Sequence, residues 1–230
     1  RRTKYRSWQN LGEMLMQIKI CGLKRTEDVE YVNASGPDYA GFVFAGTKRR
    51  ITPAMAKQLK DRMNPQIRTV GVFVDEHIEV IVQRVQEGTL HIVQLHGNED
   101  VQYIQSLKQQ LQLAGCMVPI IKAVRVQNRT QIEEADSLPV DYLLLDAFHA
   151  DEYGGSGKVF DHSLIPPLTK PYLLAGGIDR NNVTEILRIL EEKNNLPMAV
   201  DVSSSVETDG VKDAAKIDEL VHLVHTIYNR

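Results

Sequence analysis

The sequence predicts an α/β fold of one kind: a closed parallel barrel of eight strands, each followed by a helix, (β/α)8. Three observations carry this. Eight short apolar runs alternate with segments of helical periodicity, their starts roughly 20–30 residues apart. Strict alternation joins parallel strands by right-handed crossovers, and 230 residues is the size of one such barrel. The last two runs each end in a loop suited to a small anion, where barrels of this class place a phosphate. An open doubly wound sheet is the alternative, but it would usually have fewer strands.

The elements follow in order. Met16-Gln17-Ile18-Lys19-Ile20-Cys21-Gly22 reads as the first strand, ended by Gly22. Thr26 is expected to cap the first helix, with Glu27 and Asp28 in its first turn, Val29 and Val32 inward, and Ser35-Gly36-Pro37 as the stop. Tyr39 to Phe44 is the second strand, and Thr52-Pro53 opens the second helix with proline at the first helical position. Arg68 to Val74 is the third strand, followed by Ile78, Ile81, Val82 and Val85 at helical spacing. His91 to Gly97 is the fourth, and its helix sets Val101, Ile104, Leu107 and Leu111 on one side. Ile120 to Val124 is the fifth, with a helix around Gln131 to Ala135.

Tyr142 to Asp146 is the sixth strand, almost wholly apolar, as suits a parallel strand buried on both faces. A long loop from Ala147 to Lys158 follows, then a short helix near His162 to Leu168, broken by Pro166-Pro167. The seventh strand begins at Tyr172 and stops at Gly176-Gly177, where the missing Cβ lets backbone approach a ligand. The eighth, Ala199 to Val202, carries Asp201 and runs into Ser203-Ser204-Ser205. Backbone N–H groups at such strand-to-helix loops point outward, and the helix dipole favours negative charge there. The closing helices show Val183, Ile186, Leu187 and Leu190, then Ile217, Leu220, Val221, Val224 and Ile227.

Bulk composition excludes several classes. Hydrophobic content of 43% and charged content of 25% are those of an ordinary globular domain. A net charge of −3 offers no basic face for nucleic acid, and no apolar run reaches the roughly 20 residues of a membrane span. Cys21 and Cys116 form no CxxC or metal-ligand spacing, which points to a reducing, cytoplasmic setting. Residues 1–15 are read as a basic N-terminal extension containing the single tryptophan, Trp8. A trimmed leader, a cloning remnant or the tail of a preceding fused domain all fit it. Residues 16–230 are read as one barrel domain.

Active sites in this fold lie at the C-terminal strand ends. Those positions are Cys21, Arg49 in loop two, Asp75, Gln94, His96, Arg125, Asp146, Gly176, Gly177, Asp201, Ser203 and Ser204. A thiol and a carboxyl at different strand ends can face each other across the mouth and move protons in both directions. Most lone cysteines are buried fillers. A carboxylate directly after four apolar residues, as at Asp146, costs desolvation unless it has a partner or a task. His91, His149, His162, His222, His225 and Cys116 read as structural or surface residues, and no metal site is expected. Lys48, Arg49 and Arg50 are either a solvated loop or an anion contact.

Eight segments carry a resemblance. They are Lys19-Ile20-Cys21-Gly22, Gly41 to Phe44, Val70 to Val74, Val93-Gln94-Leu95-His96-Gly97, Leu144-Leu145-Asp146, Tyr153 to Asp161, Gly176-Gly177-Ile178, and Asp201 to Glu207. In this order, over nearly everything from Gln17 onward, the chain resembles phosphoribosylanthranilate isomerase, a TIM barrel of tryptophan biosynthesis. The resemblance implies an Amadori rearrangement of N-(5-phosphoribosyl)anthranilate to 1-(2-carboxyphenylamino)-1-deoxyribulose 5-phosphate, without cofactor or metal. By that resemblance Asp146 is the general acid, Cys21 as thiolate the general base, and Arg49 the partner of the anthranilate carboxylate. Gly176, Gly177, Ser203 and Ser204 would take the phosphate. Asp201 would lie near the anthranilate nitrogen, with Gln94 and His96 lining the mouth. The expected partner is a small phosphosugar. Monomer and homodimer are both open, as is fusion to or association with another enzyme of the pathway.

Two departures stand out. The last loop has Ser205 where glycine is common, so a strained backbone is expected there. Arg50 stands where an aromatic is common, which leaves two arginines for the carboxylate. A histidine-pathway isomerase would use paired aspartates and indoleglycerol-phosphate synthase a lysine acid, so Cys21 with Asp146 argues against both. A non-catalytic phosphate-binding barrel is the rival from another class.

Overall fold

The computed structural model describes residues 16–147 and 164–227. The sequence-predicted extension 1–15, the loop after Ala147 with Tyr153 to Lys158, and His149 and His162 lie outside the described residues. The strands are β1 (Gln17–Cys21), β2 (Tyr39–Val43), β3 (Arg68–Phe73), β4 (Ile92–Leu95), β5 (Ile120–Val126), β6 (Tyr142–Ala147), β7 (Tyr172–Leu174) and β8 (Ala199–Val202). They form a closed barrel in sequence order, every pair parallel, with β8 returning to β1. The helices are α1 (Thr26–Ser35), α2 (Pro53–Arg62), α3 (Ile78–Gln86), α4 (Val101–Leu113), α5 (Arg129–Asp136), α6 (Val183–Glu192) and α7 (Ala214–Ile227). An antiparallel hairpin of β9 (Glu207–Thr208) and β10 (Val211–Lys212) follows β8, an element the sequence did not announce.

Period-two alternation divides the strands. Ile18, Ile20, Phe42, Phe73, Val93, Leu95, Leu143, Leu145, Val200 and Val202 face outward and pack with helix residues such as Val29, Leu59, Ile81, Ile104, Leu187 and Leu220. Tyr39, Val70, Ile92, Ile121, Leu144, Leu173 and Ala199 fill a separate cluster inside the barrel. The same inward parity, continued toward the C-terminal ends, brings Lys19, Cys21, Gln94, Asp146 and Asp201 to the floor and walls of the mouth. Register then makes neighbours: Lys19 pairs with Asp201, Cys21 with Gly41, and Arg125 with Asp146.

Local expectations hold with three changes. Thr52 caps α2, its hydroxyl accepting from Met55 N at 3.2 Å, with Pro53 next. Gly36 ends α1 with φ 66°, the left-handed cap that glycine takes without strain. Arg25, not Thr26, is the N-cap of α1, because the buried Asp28 carboxylate reaches back to the N–H groups of Lys24 and Arg25. Arg125 lies within β5 rather than after it. Of the short helix expected near His162 to Leu168, the described region holds Leu164, a 3-10 residue, and residues 165–168 belong to no helix or strand. Prolines at 166 and 167 remove the N–H donors a helix would need there.

Candidate active site

Cys21 ends β1 with Lys19 two residues before it on the same face. Lys19 is completely buried and its Nζ donates to Asp201 Oδ1 at 2.9 Å. The ammonium also lies close enough for its charge to act on Cys21. Burial opposes its charge, but Asp201 and Cys21 outweigh burial and hold the lysine above its ordinary pKa. Burial pushes the Cys21 thiol up, and Lys19 and Lys212 only partly pull it back, with Asp201 adding to the rise. Burial likewise pushes the Asp201 carboxyl up against the pull of Lys19.

Asp146 faces this group from β6, a third exposed. His96 Nε2 stands 3.5 Å from Asp146 Oδ2, and His96 Nδ1 lies 2.9 Å from Gln94 Nε2. With Gln94 donating to Nδ1, the neutral ring carries its proton on Nε2, toward Asp146. Gln94 is fully buried, and its Oε1 has no hydrogen-bond partner among the described residues. Behind His96, Lys122 Nζ donates to Gly97 O at 2.7 Å and to Glu99 Oε2 at 2.6 Å, bracing the loop. Asp201 feels the charges of Asp146 and His96, so both sides of the mouth share one electrostatic site.

Loop two contributes Arg49. Its Nε and Nη2 donate to Glu207 Oε1 and Oε2 at 2.8 and 2.9 Å, a two-pronged pair spanning 158 residues of chain. Lys212 Nζ donates to the same Glu207 Oε1 at 2.9 Å and to Ser203 O at 2.9 Å. Burial opposes ionisation of Glu207, but the bonds from Arg49 and Lys212 win and hold its pKa at about 2. Burial pushes Lys212 below its ordinary range. Arg50 takes the other direction: it is exposed and lines a cleft with Phe44, Ile51 and Val80 outside the barrel mouth. Of the two arginines only Arg49 sits against the Cys21 side.

The anion loops lie on adjacent strands, since β7 pairs with β8. Gly176 and Gly177 have φ of 86° and 68°, conformations that favour glycine, and Asn182 Nδ2 donates to Gly177 O at 2.7 Å. Ser203 spends its hydroxyl on Cys21 O at 3.0 Å, tying loop eight to the end of β1. Ser204 is exposed and opens a 3-10 turn through Val206. The strain expected at Ser205 is absent: it is not among the residues with positive φ. Instead its Oγ is buried without a partner among the described residues.

Several strand-end residues do other work. Asp75 accepts from Asn98 N at 2.6 Å and fastens loops three and four together. His91 Nδ1 accepts from Thr69 N, and His225 Nε2 pairs with Asp38, both structural contacts. Cys116 is a free, half-buried thiol beside the start of β5. Sequence reasoning missed Lys19, Glu207 and Lys212. Lys19 had a signal, a cation inside an apolar strand at the parity of Cys21. Glu207 and Lys212 had none, because only folding brings them to Arg49.

Residues 18–223 match the sequence profile of N-(5'phosphoribosyl)anthranilate (PRA) isomerase. The chain belongs to the N-(5'-phosphoribosyl)anthranilate isomerase family. It is 44% identical over 211 residues to the N-(5'-phosphoribosyl)anthranilate isomerase of Endomicrobium trichonymphae, covering 92% of this chain and 99% of that protein. The crystal structure of the phosphoribosyl anthranilate isomerase of Thermus thermophilus superimposes with a TM-score of 0.75 at 32% identity, covering 90% and 97% of the two chains. Another isomerase structure of the family, solved with reduced 1-(o-carboxyphenylamino)-1-deoxyribulose 5-phosphate, gives a TM-score of 0.70 at 30% identity, covering 90% and 96%. Family membership agrees with the (β/α)8 reading. Among the described residues no helix is long and apolar enough to cross a membrane.

Proposed function

We propose that Cys21 and Asp146 carry the family's reaction in this chain. The chain is an N-(5'-phosphoribosyl)anthranilate isomerase of tryptophan biosynthesis. The observation that supports the assignment is a thiol at the end of β1 and a carboxyl in β6 at one mouth, the carboxyl 3.5 Å from His96 and the thiol in the field of Lys19. Asp146 gives a proton to the furanose ring oxygen; the C1–O bond breaks and the nitrogen lone pair forms a cationic C1=N bond. Cys21 then takes the C2 proton, and that electron pair forms C1=C2 while the iminium becomes an amine. The enolamine gains a proton at C1 and loses one from its hydroxyl, giving the ketone. Atoms balance, as an isomerisation requires.

Cys21 acts as the base in its thiolate form, which the ammonium groups of Lys19 and Lys212 favour against burial. Arg49 is the partner for the anthranilate carboxylate, and the backbone of Gly176, Gly177, Ser203 and Ser204 the cradle for the phosphate. Asp201 lies near the anthranilate nitrogen, and Gln94 and His96 line the mouth, His96 beside Asp146. The reading includes a cytoplasmic setting, supported by two free thiols, one of them catalytic. It leaves monomer and homodimer as the assembly states, with or without a fused or associated pathway enzyme, which light scattering and the full-length gene distinguish.

The test is turnover by the purified chain beside Cys21→Ala and Asp146→Asn. Loss of at least about a hundredfold in kcat by each variant supports the pair. Activity that survives both substitutions overturns the assignment while leaving the fold intact.

A further inference from the structure

We infer that Glu207, with Lys212 behind it, is the positioning residue that aims Arg49 at the substrate carboxylate and couples that contact to the phosphate loop. The inference rests on the reading of Arg49 as the carboxylate partner. Three observations carry it.

The first is the fork. A guanidinium has five N–H groups in a fixed plane. Glu207 takes one from Nε and one from Nη2, with its own side chain only 6% exposed. The pair of Nη1 protons and the second Nη2 proton are left pointing away from Glu207. One rigid face of Arg49 is therefore fixed, and the opposite edge is presented.

The second is the stem. A Cβ on Gly22 would meet Arg49 Cδ at 2.5 Å and Ser203 Oγ at 3.4 Å. The arginine thus passes directly over the Gly22 backbone, beside the end of β1 and loop eight. Its stem is channelled and its head is clamped, so the guanidinium has little freedom left to lose when an anion binds.

The third is the charge count. Arg49 and Lys212 bring two positive charges to the single negative charge of Glu207. The cluster keeps a surplus of one positive charge, and both cations are close enough to act on Cys21. Lys212 also holds the Ser203 carbonyl, and the Ser203 hydroxyl holds the Cys21 carbonyl. A continuous chain of bonds therefore runs from the phosphate loop through Lys212 and Glu207 to Arg49. A residue that merely latched loop two to loop eight would not need to leave Arg49 this presented edge.

The experiment compares two substrates made in situ from ribose 5-phosphate and an amine: the anthranilate adduct, and the aniline adduct that lacks the carboxylate. Glu207→Gln is expected to lower kcat/KM for the carboxylate-bearing substrate by about tenfold or more, mainly through KM, and to change the aniline adduct less than about threefold. Arg49→Met should give the same selective loss, and the double variant no further loss. Glu207→Asp, which keeps the charge on a shorter stem, should show a smaller selective loss, and it serves if the Gln variant does not fold. If Arg49→Met does not distinguish the two substrates, the carboxylate reading itself falls. If Arg49→Met distinguishes them but both Glu207 variants slow the two substrates equally, Glu207 is only a latch and this inference falls.

Discussion

Gly41 and Cys21 are register partners across the β1–β2 pair, and a Cβ on Gly41 would stand 2.8 Å from the Cys21 Sγ. It would also come within 3.0 Å of the Cys21 Cα. The glycine is needed for close approach: Gly41 is absent from the glycines with positive φ. Neither the thiol nor its backbone can retreat cheaply, because Ser203 pins the Cys21 carbonyl from the other side.

Gly41→Ala is therefore expected to displace the thiol while leaving the barrel folded. The predicted result is a fall in kcat of about tenfold or more, since small misplacements of a reacting group cost rate steeply. Circular dichroism and steady-state kinetics check it. Full activity in a folded Gly41→Ala would show that the thiol position has slack the geometry denies.

Lys19 is a buried cation whose removal leaves Asp201 without its partner. Lys19→Met is predicted to destabilise the chain at neutral pH by about 3–5 kcal/mol in urea unfolding, with Lys19→Met/Asp201→Leu recovering most of the loss. The lysine pKa is raised on folding, so its stabilisation is complete below about pH 10 and fades as pH rises past the folded value. Iodoacetamide should also alkylate Cys21 about tenfold more slowly at pH 8 in the Met variant, with Cys116 in the same chain as the control. An unchanged alkylation rate would mean the ammonium does not act on the thiol.

Glu207 makes an acid-stability prediction whose sign is set by its lowered pKa. Folding drops it from the ordinary glutamate value of 4.5 to about 2. Its contribution is present above pH 4.5 and is lost as pH falls from there to about 2. After allowance for screening near the mouth, that amounts to about 2 kcal/mol. Urea midpoints between pH 5 and 2 should fall more steeply in the parent than in Glu207→Gln, and parallel curves would contradict the assignment.

Ser205 offers a stabilising change. Its hydroxyl is buried without a partner among the described residues, and its backbone is not left-handed. Ser205→Ala removes the unsatisfied group and should raise stability by up to about 1 kcal/mol. Ser205→Gly should gain less, because glycine adds backbone entropy to the unfolded chain at a position that does not need it. Thermal midpoints in the order Ala, then Gly, would agree; a glycine variant more stable than the alanine one would show a strained turn after all.

Much of this was legible in residue order. Alternation at Ile18-Lys19-Ile20-Cys21 and the apolar run Leu143-Leu144-Leu145 before Asp146 mark strands that end in chemistry. The glycine pair at 176 and 177 announced the sharp exit from β7, and both glycines do have positive φ. The cap of α1 was misread because Asp28, reaching backward, displaced Thr26 from that role. The serine at 205 suggested strain from family pattern alone, and the 3-10 turn accommodates it without positive φ.

Periodicity is a local property, so the sequence alone determined the barrel, its inward parity and the strand ends carrying Cys21, Asp146 and Asp201. Only the tertiary structure decided how those groups are charged. Closing β8 onto β1 sets Lys19 against Asp201, 182 residues away, and the hairpin after β8 brings Glu207 and Lys212 to Arg49. Desolvation and the fields of such distant partners fix protonation, and neither exists until the chain has closed.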